Sequence, residues 1–295
     1  MMMFFLSYGL HASFSFKCPE LLYSVERYGR VTSLVGIIGQ LLCLAPTTFI
    51  PVWLAGGNYE NVMGLLLMIC AFFVVASSVT ILFYHPLREV VPKKKTSGNG
   101  QLGKLWRDTS VRSLFFPNLT RGLSMGVIGC LPMLCTHVLP MDKTEVSGLS
   151  TYIVIATIIG SVIPIIFASV KQTKALSVFA SAGLLLGSCL LVLMKNVLAL
   201  SLVFLVIEVF YAAVNIAVPV LVVHYVPFEI LGGYTAIRMG ATMAGSALSS
   251  ALLGAILLAY PGKFTAFLIL AAGGLLQLYT GISYGLYKTE KTYVK

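Results

Sequence analysis

The sequence predicts an all-α, polytopic membrane protein with about eight transmembrane helices, and three observations carry that prediction. Of 295 residues, 58% are hydrophobic and only 10% charged, with a mean hydropathy of +0.93; a soluble domain carries about 25% charged residues. The apolar residues come in charge-poor runs of roughly twenty or more, the length an α-helix needs to cross the hydrocarbon. A transmembrane barrel would instead show alternating segments of about ten residues. Finally, Lys and Arg gather between alternate runs, the bias that orients helical membrane proteins.

The elements follow in order. Residues 1–16, MMMFFLSYGLHASFSF, are apolar but too short to span. They lack the basic start and the A-x-A site of a signal peptide before Lys17, and are expected to be the tail of a span that begins earlier. Apolar runs at 31–54 and 62–84 complete a first unit, 1–84. The segment from His85 to Asp108, with Lys93, Lys94 and Lys95, is polar and Gly/Ser-containing, so 85–111 is expected to be a basic linker. Six runs make up the second unit, 112–288: they are 112–138, 147–170, 175–194, 197–225, 235–259 and 264–287. Pro46, Pro132, Pro164 and Pro219 lie within runs and are candidate kinks. Ser246, Ser250 and Gly254 recur every four residues, a small-residue stripe expected to let another helix approach closely.

Threading these runs back and forth places all 20 Lys and Arg residues on one side, except Lys143, Lys195 and Lys263 opposite and Arg121 within a span. By the positive-inside rule the basic side, with both termini and the linker, is cytoplasmic, which fits a multi-pass protein of the cell membrane. Arg238 counts among the cytoplasmic charges in this reading. The net charge of +10 is then topological and does not signal nucleic acid. Cys18, Cys43, Cys70, Cys130, Cys135 and Cys189 are scattered, with no C-x-x-C or zinc-type spacing, so neither metal nor cofactor is expected. The acidic residues stand mostly alone in loops (Glu89, Asp108, Asp142, Glu145), and no D-x-x-x-D or H-E-x-x-H occurs. That disfavours a membrane-embedded enzyme.

Charges inside spans cost about 2.5–3.5 kcal/mol each on insertion scales, so they mark function or pairing. Arg121 and Glu208 both fall near mid-depth by the rise of a helix. Tyr211, Asn215 and Pro219 share a helical face with Glu208, at spacings that suit a wet cavity wall, and Asn118 stands one turn before Arg121. Asn118-Leu119-Thr120 also spells a glycosylation sequon, discounted by its place in a span. Two readings stay open: Arg121 binds an anionic or polar substrate while Glu208 titrates, or the two form a structural ion pair. Gln40 and Gln277 are expected to hydrogen-bond between helices, and His137 and His224 to be interfacial.

Glu26–Ser33 reads ERYGRVTS and Glu229–Ala236 reads EILGGYTA, sharing an E-x-x-G-x-x-T skeleton. Each precedes an apolar run that ends in Leu-Ala (Leu54-Ala55, Leu258-Ala259), a short turn and one further run. With the basic linker and the six runs behind it, this pattern resembles the major facilitator superfamily, whose two six-helix halves are parallel repeats. The resemblance implies that 112–287 are helices 7 to 12, 31–84 helices 5 and 6, and that helices 1–4 are missing apart from the tail at 1–16. It implies a cavity lined by helices 7 and 10, hence a candidate substrate and coupling-ion site of Arg121, Glu208, Asn118, Tyr211 and Asn215, with Glu208 the candidate for proton coupling. The family's D-R-x-G-R-type loop is not present: SVKQTKALS stands where its weaker copy would fall. The expected function is secondary active transport of a small solute by alternating access. The alternatives are a truncated, non-transporting remnant or, least favoured, an enzyme acting on a lipid-linked substrate. With one half incomplete, the monomer is expected not to transport; substrate identity and oligomeric state stay open.

Overall fold

The computed structural model describes residues 107, 109–167, 169–226 and 228–287, together with isolated positions between 30 and 72, which are helical. The linker, most of the first two runs and most of ERYGRVTS lie outside the described residues. Among the described residues the structure is all helix. The helices are α1 (Thr109–Gly129), α2 (Leu131–Val138), α3 (Lys143–Ile166), α4 (Val170–Leu191), α5 (Val197–Tyr225), α6 (Phe228–Ala259) and α7 (Lys263–Leu286). Five are long and apolar enough to cross a membrane, and α1 with α2 forms a sixth, broken span bent by 54°.

That break has a local cause. Pro132, in the first turn of α2, offers no N–H to the carbonyl four residues back, and its ring crowds the preceding turn. The chain bridges the gap with a tight turn, Cys130 N–H to Val127 O at 3.1 Å. Pro219 and Pro164 lie inside helices that continue past them, as does Pro117 in α1. Hydroxyls from Thr120 and Thr280 reach the Pro117 carbonyl at 3.1 and 3.2 Å and tie α7 to α1 there.

Other boundaries are set by capping. Asp142 and Glu145 form a reciprocal capping box that starts α3, and Ser169 with Gln172 starts α4 in the same way. Lys171 and Lys174 therefore belong to the first turns of α4, not to a loop. In turn, Glu229–Ala236 is no loop: it is the opening of α6, which begins at Phe228, seven residues before the expected 235.

Each helix lies against the next in the order α3, α5, α4, α7, α1, α6. Small residues set the closest approaches. A Cβ on Gly122 would meet the Thr242 backbone, and one on Gly126 would meet Ser246 and Ser249, so α1 and α6 run parallel in near contact. The packed row on α6 is thus Thr242, Gly245 and Ser249, all buried, with Ser246 and the exposed Ser250 also bordering Gly126, while Gly254 faces open space. Of the expected Ser246–Ser250–Gly254 stripe, Ser246 and Ser250 meet α1, and the stripe extends back to Thr242 and Gly245 and not on to Gly254. Strict four-residue spacing drifts about 40° per step around a helix of 3.6 residues per turn, while alternating steps of three and four hold one face.

The core is layered. One apolar cluster, around Leu131, Leu134, Leu200, Phe204 and Leu270, fills the α2 end. A second, around Leu114, Val218, Leu221, Tyr225 and Tyr284, fills the opposite end. Between them every helix of the α5–α4–α7–α1–α6 series turns polar groups inward: Glu208, Ser181, Gln277, Asn118, Arg121, Ser124, Arg238 and Thr242 are all buried. Buried polar groups at mid-depth are expensive in a bilayer, so this layer is where function is sought.

Candidate functional site

Asn118 and Arg121 stand one turn apart on α1, so both project into the polar layer. The Asn118 amide is saturated. Its Nδ2 donates to the Leu114 carbonyl at 2.6 Å and to the Tyr234 hydroxyl at 2.8 Å, and its Oδ1 accepts from the Tyr284 hydroxyl at 2.8 Å. The Tyr234 and Tyr284 hydroxyls are themselves 3.4 Å apart. One amide thus joins α1, α6 and α7, and its burial (1% exposed) leaves the sequon no access to solvent.

Arg121 points across the interior. Its Nη2 donates to Asn215 Oδ1 on α5 at 2.8 Å, and among the described residues its Nε has no hydrogen-bond partner although Arg121 is only 7% exposed. The ionisable neighbours that act on its charge are Arg238, Tyr284, Tyr211 and Tyr234. Three of the expected site residues (Arg121, Asn215 and Tyr211) therefore share one locality, with Asn118 bracing it from behind.

Glu208 stands apart. Seven residues separate it from Asn215 along α5, about 10 Å of rise. It is buried, with Cys135 of α2 within electrostatic reach, and among the described residues no ion pair joins it to Arg121. Of the two sequence readings, the structural Arg121–Glu208 ion pair is not found among the described residues. Gln277 also departs from expectation: it is 1% exposed, yet among the described residues neither its amide oxygen nor its nitrogen finds a partner.

Arg238 is the residue that sequence reasoning misplaced. Read as a cytoplasmic charge, it is in fact 2% exposed and among the largest fully buried side chains. The error follows from starting the span at 235; a helix from Phe228 carries Arg238 more than two turns inward. The signal was present in Tyr234-x-x-x-Arg238, one turn apart, with Gly232 before it. Lys174 is likewise more than a loop charge. Its Nζ lies 5.1 Å above the Tyr225 ring and donates to the Tyr287 carbonyl at 3.1 Å, while the Tyr225 hydroxyl donates to Tyr284 O at 2.6 Å. This clamp closes the bundle at the α1-start end.

Gly122-Leu-Ser124-Met-Gly126 spells the G-x-S-x-G of a hydrolase nucleophile turn, but here it is uninterrupted helix whose glycines seat α1 on α6. Such a nucleophile needs a sharp strand-to-helix turn, so the letters carry no catalytic meaning. His137 and His224 are half-buried near helix ends, and neither enters the polar layer.

No family model matches this chain, and no curated protein does. Among solved structures, the crystal structure of the E. coli fucose:proton symporter FucP matches with a TM-score of 0.60 at 14% identity, over 90% of this chain and 71% of that one. FucP is a major facilitator transporter. At that identity the likeness speaks for the fold. This chain is an all-helical, multi-pass membrane protein that shares the fold of that symporter.

Proposed function

We propose that this protein is a secondary active transporter of a small polar solute, working by alternating access in the cell membrane with both termini cytoplasmic. The observation that carries the reading is Arg121: a buried guanidinium that, among the described residues, donates to one neutral partner, Asn215, and leaves its Nε unpartnered. A structural arginine in a membrane interior normally saturates its donors on carboxylates or carbonyls, because unmet charge there is costly. One left open toward a polar layer is fitted to a ligand. Glu208 supplies a carboxylate away from the arginine, free to gain and lose a proton, and we assign it the coupling role. The fucose:proton symporter named above moves a solute with a proton, and the fold accommodates the same logic here.

The test is uptake into proteoliposomes loaded with a pH-sensitive dye. A panel of small polar solutes, fucose first, is added outside, and internal acidification is followed with and without a protonophore. Solute-dependent proton entry that disappears in Glu208→Gln supports the proposal. Uptake that is indifferent to both the protonophore and Glu208→Gln would remove Glu208 from the mechanism. Cysteine labelling of each terminus from outside intact cells tests the orientation, and a labelled terminus overturns it.

A further inference from the structure

Three side chains inside the bundle carry unspent hydrogen-bond donors and acceptors. Among the described residues, Gln277 has no partner for either amide atom, the Ser124 hydroxyl has none, and neither does Arg121 Nε. All three residues are buried, as is Ser181 of α4, whose hydroxyl is likewise unpartnered. Native interiors meet such groups with protein or with bound water, because leaving them unmet is costly.

Helix register brings the three to one place. On α7, Gly273 lies against Val127 and the Thr280 hydroxyl reaches the Pro117 carbonyl, both on α1. Gly274 lies against Leu185, and Gly281 against Ser177 and Ser181, all on α4. At about 100° per residue Gln277 falls between these two lines and projects between α1 and α4. On α1, Thr120 and Val127 face α7 while Arg121 reaches Asn215 of α5, and Ser124 falls between those directions. Ser124 stands midway between Thr120 and Val127, as Gln277 does between Thr280 and Gly273, so the two share one depth.

Glu208 faces the same interior. Gly183 and Gly187 of α4 lie against Phe210 and Ile207 of α5, which sets Glu208 at the depth of Leu185; Leu185 meets Gly274, one turn from Gln277. The inner face of α5 that holds Glu208 also carries Asn215 to Arg121. The pairs α1 and α7, α7 and α4, and α4 and α5 are packed, and the Arg121–Asn215 bond joins α5 to α1, so four described helices enclose these groups. Leu270 and Tyr284, each two turns from Gln277 on the same face of α7, belong to the apolar clusters that close the two ends.

The unspent set is mixed. An amide offers donors and an acceptor, a hydroxyl offers both, and a guanidinium Nε donates. A small neutral occupant that both donates and accepts matches it, and inside a packed core that occupant is water, which makes about three hydrogen bonds when buried. Resting on the coupling role assigned to Glu208 above, we propose that Gln277 and Ser124 hold internal water between α1, α4, α5 and α7, and that Glu208 exchanges its proton through this water. A proton leaving the Glu208 carboxyl is taken up by the water oxygen, which releases one of its own hydrogens to the next acceptor. The carboxylate regains a proton by the reverse path, and Gln277 orients the water without gaining or losing one. Arg121 of α1, Cys135 of α2, Tyr211 of α5 and Tyr284 of α7 stand around this interior, and the route asks none of them to change charge.

The experiment follows the carboxylic-acid C=O stretch of Glu208 by infrared spectroscopy of the purified full chain in detergent, the band being identified by its loss in Glu208→Gln. On transfer to heavy water the band shifts as the proton exchanges, and the rate is compared in Gln277→Leu and Ser124→Ala. Exchange should be at least about ten-fold slower in Gln277→Leu, the equivalent of about one hydrogen bond to water, with a smaller slowing in Ser124→Ala and recovery in Gln277→Asn, which keeps the amide. The unfolding midpoint shows whether each variant is folded, and Ser124→Ala provides a second reading if Gln277→Leu is not. Solute binding is read in parallel as the concentration-dependent rise in unfolding temperature with the solutes of the uptake panel, and should be the same in Gln277→Leu as in the unsubstituted chain. Equal exchange rates in the unsubstituted chain and both variants overturn the proposal and leave the transport reading standing. Slower exchange together with lost solute binding places Gln277 in the solute site and overturns it as well. Slower exchange in Gln277→Leu, without solute-dependent proton entry in the unsubstituted chain, supports the water route and refutes the transport reading. A spectrum with no band that Glu208→Gln removes refutes the coupling role and this route with it.

Discussion

Replacing Gly122 by alanine tests a close backbone contact between α1 and α6 and the register it sets. An alanine Cβ at 122 would overlap the carbonyl and Cα of Thr242, which are backbone atoms with no rotamer to yield. Either α6 moves away from α1, or both helices bend. Overpacking of this kind costs about 1–3 kcal/mol in well-packed interiors, and the upper end applies where only backbone can give way. The gain in intrinsic helix propensity from Gly to Ala, at most about 1 kcal/mol, partly offsets it. At roughly 2–4 °C per kcal/mol for a chain of this order of size, the unfolding midpoint should fall by about 2–10 °C. Gly240 on α6 is the control: a Cβ there meets nothing within 4 Å, so Gly240→Ala should leave the midpoint unchanged or raise it slightly. The assay is thermal unfolding in detergent followed with a thiol-reactive fluorogenic maleimide, because Cys135 is 0% exposed and reacts only as the bundle opens. Because Thr242 reaches the Asn118 carbonyl, the same variant should also weaken the Asn118 knot and with it ligand binding. Equal midpoints for the two alanine variants would refute the reasoning, since they differ in what surrounds the added methyl and hardly in propensity.

Other perturbations isolate single interactions. Tyr225→Phe removes the 2.6 Å bond to the Tyr284 carbonyl and little else, so it should cost about 0.6–1.7 kcal/mol and lower the midpoint by a few degrees without changing ligand affinity. Asp142→Ala deletes the side-chain half of the α3 capping box, with an expected loss of about 1 kcal/mol and faster hydrogen exchange confined to the first turn of α3. Asn118→Ala strips two interhelical bonds at once; it should destabilise by about 1–3 kcal/mol, and more than Tyr225→Phe in the same unfolding assay. Asn215→Ala leaves Arg121 without its neutral partner and should change ligand affinity by several-fold with only a small shift in midpoint, measured by the paired binding and unfolding experiments.

Much of the architecture was legible because it follows from solvent. A backbone in hydrocarbon must satisfy its own hydrogen bonds, so an apolar run of sufficient length reads as a helix whatever its neighbours. That is why the six runs after the linker appear as five long apolar helices and the bent pair of α1 and α2, and why Arg121 and Glu208, charges in such runs, could be singled out from composition alone. The helix boundaries were less legible, because capping is decided by a few side chains. Ser169 with Gln172 drew α4 back to Val170, and α6 began at Phe228, carrying Arg238 from its expected place at a helix edge into the interior.

By itself, then, the sequence determined the membrane class, the order of the apolar runs and the presence of an arginine and a glutamate deep within two of them. Each of these is a property of one segment and its solvent. Which groups meet was decided by tertiary structure alone. A helix face presents several polar residues, and pairing among them depends on register and crossing between helices far apart in sequence. Arg121 could have met Glu208 by depth and charge; the close seating of Gly122 on Thr242 and the reach of Asn215 across from α5 instead set it beside Arg238 and away from the carboxylate. Residue spacing along one helix holds no information about the neighbour's register, because that register is fixed by the summed fit of small residues over the whole contact.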